Sequence, residues 1–252
     1  MVEVEFVDTV AEVLAPDAGT LFVVGAAATL KAVGAEIGLP AEVARAFQAL
    51  VELGIGDGSA VEPAPVSSAV FGDGSVKKLV LVPLADSVSR HMSAAQSYAI
   101  TAGLRAGGLE AAAGTAAIIM LPSKAEWLSP SALGIGRALP LYSAKTSATA
   151  LKAVKCVFVG LNSVQGIPVD ASVEAVWREM NALRRAQFLS EAPAQEVGPS
   201  TIEAAAHEAV GEIEGVSVSS VVGAGLLAHG LAPDLLLLCL LPRRGPAERR
   251  AL

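Results

Sequence analysis

An α/β fold with a mixed sheet covered by helices on both faces is the architecture this sequence predicts, on three observations. Strand-like apolar runs alternate with stretches of helical spacing along most of the chain. Residues 21–25 and 115–121 are apolar nearly throughout rather than alternating, as strands buried on both faces are. Residues 66–71 and 77–82 flank Gly72-Asp73-Gly74-Ser75, which reads as a β-hairpin and makes the sheet mixed rather than purely parallel.

The elements follow in order. Residues 2–7 alternate valine with Glu3 and Glu5, so they form a half-buried strand with an acidic outer face, suited to a sheet edge. Pro40 stands just before residues 41–53, where Val43, Phe47, Leu50 and Val51 share a helical face, and Gly54 stops the helix. A helix over 93–106 ends at Gly107-Gly108. Another, over 123–138, is built around Trp127 and Leu133 and interrupted at Pro130. Residues 152–161 form a strand in which Cys156 is a small buried hydrophobe. The longest helix, 169–189, carries Val173, Val176, Trp177, Met180, Leu183, Arg184 and Phe188 at 3–4 spacing. The stretch 162–168 before it is an interdomain joint, giving domains over 1–165 and 166–252. Residues 181–230 end that helix and continue as a Pro-punctuated turn, a second helix, a strand and the start of a third helix.

Composition limits function. The 252 residues are 53% hydrophobic, 17% charged and 4% aromatic, with a net charge of −7. That balance argues against a phosphate-backbone binder, and the few aromatics argue against a base-stacking surface. The one dense basic group, Arg243, Arg244, Arg249 and Arg250, reads as a solvated tail. The two cysteines, Cys156 and Cys239, are too far apart for a zinc signature or a disulfide framework. The first ten residues are acidic and alternating, unlike a signal peptide. The longest apolar run, 235–241, is far below the roughly 20 residues that span a bilayer. A cytoplasmic location is the expectation, with neither membrane nor nucleic acid as partner.

The chemistry-bearing residues are scattered. His91, His207 and His229 form no ligand pair with metal spacing. No Gly-x-Ser-x-Gly elbow accompanies them, so a Ser-His-Asp hydrolase is not indicated. Gly54-Ile55-Gly56-Asp57-Gly58 follows a helix and reads as its exit, and Gly134-Ile135-Gly136 reads the same way. Gly223-Ala224-Gly225 follows a strand and opens a helix, but alanine at position 228 removes the third fingerprint glycine; a tight strand-to-helix turn is the simpler reading than dinucleotide binding. Glu208, Glu212 and Glu214 fall on a solvated helix face. No catalytic, cofactor-binding or metal-binding residue is assigned.

Two segments carry a family resemblance. Arg137-Ala138-Leu139-Pro140-Leu141-Tyr142-Ser143-Ala144-Lys145-Thr146 matches the Arg-x-Phe/Leu-Pro-x-Tyr/Phe-x-x-Lys-Ser/Thr segment that closes the N-terminal domain of leucyl aminopeptidases. Glu191-Ala192-Pro193-Ala194-Gln195-Glu196-Val197 fills their Asp-x-Pro-x-Asn-Glu-Leu/Met frame, with Glu191 and Gln195 each one methylene longer than usual. Residues 215–218 resemble the first catalytic-domain strand and residues 226–230 the next short helix. The chain thus resembles the two-metal leucyl (cytosol) aminopeptidase family over about residues 1–230, with most likeness to its divergent eukaryotic aminopeptidase-like branch.

The resemblance implies an N-terminal macro-like domain, a linking helix and an incomplete second α/β domain. The family's reaction releases N-terminal amino acids from peptides using two divalent metals, zinc or manganese. The Lys-Gly-x-Thr-Phe-Asp and Asn-Thr-Asp-Ala-Glu-Gly-Arg segments that bind those metals do not occur in these 252 residues. The expectation is a truncated homologue without peptidase activity and without bound cofactor. Two further roles are consistent with the resemblance: a non-catalytic oligomeric assembly module joining full-length relatives, and binding of an ADP-ribose-like ligand by the macro-like domain.

Overall fold

The computed structural model of the chain describes residues 2–14, 18–33, 37–55, 66–72, 76–86, 96–122, 125–139, 151–160, 171–193, 195–211, 216, 219–221 and 225–228. These divide into two compact units, Met1–Ala192 and Pro193–Leu252.

The first unit is built on one six-stranded sheet of order β1-β6-β5-β2-β4-β3. Its strands are β1 (Glu3–Phe6), β2 (Ala18–Ala26), β3 (Ser67–Val70), β4 (Lys78–Leu84), β5 (Gly114–Leu121) and β6 (Leu151–Phe158). Neighbours from β1 to β4 run parallel, and β3 pairs antiparallel with β4. The sheet is mixed for the reason the sequence offered: the Phe71 amide donates to the Lys77 carbonyl at 2.8 Å and closes the hairpin.

The central strands are apolar on both sides because both sides are covered. Successive side chains point to opposite faces. Phe22, Val24, Val80, Val82, Ile118 and Met120 enter one core, while Leu21, Val23, Leu79, Leu81 and Ile119 enter the other. The second core is covered by α1 (Val10–Val13), α2 (Ala27–Val33) and α3 (Ala41–Gly54). The first is covered by α4 (Ser97–Ala106), α5 (Leu128–Ala138) and α6 (Ala171–Glu191). At the edge, β1 buries Val4 and exposes Glu3 and Glu5, the alternation its sequence predicts.

Three differences have physical reasons. Pro130 does not interrupt a helix: α5 begins at Leu128, so Pro130 lies in the first turn, where the missing amide is not needed. Gly134 and Gly136 are not a helix exit but lie inside α5, both buried. A Cβ on Gly134 would stand 2.9 Å from the Ser97 carbonyl oxygen of α4, and one on Gly136 2.7 Å from Met180 Cγ of α6. The two glycines let three helices approach closely. Helix α1 starts on a capping box, Thr9 to Glu12, with the Thr9 hydroxyl accepting from the Glu12 amide at 3.2 Å; α2 carries no clear start signal, because β2 passes into it through Ala26 and Ala27 with no turn residue between them.

The long helix α6 belongs to the first unit, ahead of the division after Ala192. Val176 and Met180 enter the same core as Ile135 and Ala138 of α5. The division lies at the Glu191–Val197 motif, where the Pro193 carbonyl accepts from the Glu196 amide at 2.8 Å and the Val197 amide at 3.0 Å. The second unit holds α7 (Pro199–Gly211) and α8 (Gly225–Ala228). Of the strand expected over 215–218, only Val216 is among the described residues, and it lies in no strand.

Cys156 is fully buried on β6, and burial pushes its thiol far above the usual range. Below about pH 8.5 the folded and unfolded chains both hold this proton. Above it, the unfolded chain releases the proton and the folded chain does not. Stability carried by the raised thiol is therefore present at neutral pH and falls by about 1.4 kcal/mol per pH unit on the alkaline side. Urea unfolding of the protein and of Cys156→Ala between about pH 7.5 and pH 10 is expected to show a steeper alkaline loss in the former. Equal slopes would mean that the thiol is accessible to water.

Candidate functional site

Open α/β sheets take ligands at the carboxyl ends of neighbouring strands whose chains depart in opposite directions. Here those strands are β2, which leads toward β3 and β4, and β5, which leads to β6. Among the described residues, β2 is tightly packed near its end at Gly25. A Cβ on Gly25 of β2 would lie 3.0 Å from Leu121 Cβ and 3.4 Å from Leu30 Cδ2, and both leucines are buried. Beside them, Asp86 at the end of β4 accepts from the Ala28 amide at 2.7 Å, placing a carboxylate on the first turn of α2.

Gln96 closes the same end of β4. Its side chain accepts from the Ala85 amide at 3.2 Å and donates to the Ala85 carbonyl, as a neighbouring strand would. This buried residue is the one non-glycine at positive φ (51°) among those described. Neither Asp86 nor Gln96 stands out in the sequence. An aspartate just past an apolar strand was a weak signal for Asp86, and nothing marks a glutamine as left-handed.

Of the other singled-out residues, those that are described do not converge. His207 on exposed α7 pairs with Ser220 at 3.0 Å, while His91 and His229 lie outside the described residues. Glu208 is exposed on α7, as expected of a solvated face; Glu212 and Glu214 are outside the described residues. Gly54 ends α3 and Gly225 opens α8, whereas Gly56, Gly58 and Gly223 are outside. Cys239 and the tail arginines Arg243, Arg244, Arg249 and Arg250 also fall outside.

Among the described residues no three of His, Cys, Asp and Glu gather to hold a metal ion. The donors among the described residues do not fit the two-metal centre that the resemblance implies. Among those same residues, no helix is long and apolar enough to cross a membrane.

The described residues at and just before the two resemblance segments make structural contacts. Arg137 lies in the last turn of α5, and its carbonyl accepts from Arg105 Nη2 of α4 at 2.8 Å; residues 140–146 lie outside the described set. Upstream of the second segment, Arg184 of α6 is buried and donates through Nη2 to the Val2 carbonyl at 2.7 Å. Its Nε is buried without a partner, and desolvation lowers the pKa of the guanidinium. Arg184 thereby fastens the last helix of the unit to the start of β1.

Comparison with known proteins agrees with this geometry. A leucyl aminopeptidase from Trypanosoma brucei in complex with actinonin superposes with a TM-score of 0.64 at 16% identity, covering 91% of this chain and 44% of that one. The apo Trypanosoma cruzi enzyme gives 0.63 at 17% identity over 90% and 44%. The Caenorhabditis elegans leucine aminopeptidase gives 0.62 at 17% over 90% and 43%. This chain thus spans less than half the length of each, and at these identities the likeness is one of fold. No curated protein matches it in sequence. The family model for the M17 aminopeptidase N-terminal domain 2 matches residues 19–148, just over half of the chain. The chain belongs to the M17 aminopeptidase family and carries its N-terminal α/β domain.

Proposed function

We propose that residues 1–252 serve as a non-catalytic assembly piece in a leucyl-aminopeptidase-type complex, joining chains that supply the peptide-hydrolysing half. The observation that carries this reading is the extent of the match. Nearly all of this chain corresponds to leucyl aminopeptidases, yet it corresponds to less than half of each of them. Within that part lies a sheet with both faces covered by helices. The two divalent metals, zinc or manganese, and the peptide substrate belong in this reading to the partner's half. A cytoplasmic location goes with it, by analogy with the cytosol aminopeptidases. The Asp86 carboxylate on α2 disfavours a phosphate there, so ADP-ribose binding is not adopted.

The test is direct. Purified chain, supplied with manganese or zinc and a leucine anilide substrate, is expected to release no more product than heat-denatured chain. Chelator-sensitive turnover proportional to the amount of chain would overturn the proposal.

A further inference from the structure

We draw no further inference here: the strongest candidate, the side-chain cluster on α6 in which Arg184 Nε and Gln187 Oε1 are buried without partners, carries nothing because nothing among the described residues shows what ligand would meet them.

Discussion

Phe22→Ala is expected to destabilise the α/β unit by about 3–5 kcal/mol, a large share of the stability of an ordinary domain. Phe22 lies at the middle of β2, fully buried and flanked by Val80 on β4 and Ile118 on β5 in the sheet register. Its ring also supports α4: a Cβ on Gly107 would stand 3.0 Å from Phe22 Cε1 and 2.6 Å from Val80 Cγ1. The alanine would lose the transfer free energy of the ring and leave a void that a hydrogen-bonded parallel sheet cannot close by moving strands. Phe22→Leu, which keeps much of the volume, is expected to cost about 1–1.5 kcal/mol. Urea denaturation followed by circular dichroism measures both. Equal, small losses for the two variants would show that α4 collapses onto the sheet and fills the space.

The same residue shows which features were legible in sequence. Phe22 sits in an unbroken apolar run, and such runs are legible because burial on both faces leaves no polar position. The hairpin was legible in Gly72-Asp73-Gly74-Ser75, and α3 in its Pro40 and Gly54 boundaries. What the sequence hid were features set by distant neighbours. Gly134 and Gly136 look like a turn locally; only the approach of Ser97 and Met180 explains them as helix-interior residues. Helix α2 begins where β2 ends, and its first turn is stabilised by Asp86, far along the chain.

Local contacts were not legible either: the pairing of His207 with Ser220 joins residues whose spacing gives no signal. The tight packing around Gly25 near the end of β2 was not legible. It depends on Leu30 and Leu121, whose spacing from Gly25 in sequence is uninformative. Family membership, by contrast, was legible in Arg137–Thr146 and Glu191–Val197, because segments at element ends and domain joints must satisfy specific backbone groups. The Pro193 carbonyl, taken by two amides, is one such group.

Arg184→Ala is expected to cost about 2–4 kcal/mol, and Arg184→Met close to nothing. The two substitutions separate the roles of a buried cation. The alanine removes a long side chain from the α5–α6 contact beside Gly136 and leaves the Val2 carbonyl without its donor; an unsatisfied buried carbonyl alone costs about 1–3 kcal/mol. Methionine loses the same hydrogen bond but fills most of the volume. It also relieves the cost of holding a guanidinium out of water with Nε unpartnered and no carboxylate at ion-pair distance among the described residues. Desolvation already lowers the pKa of this arginine, but the group stays charged across the accessible range, so the difference between the variants is expected to be independent of pH from about 5 to 9. Thermal and urea unfolding of the two variants decide the matter. A methionine variant as unstable as the alanine variant would make the Val2 hydrogen bond, rather than packing, the interaction that holds α6 to the first strand. A lysine variant that restored wild-type stability would show that a cationic donor to the Val2 carbonyl suffices without the guanidinium fork.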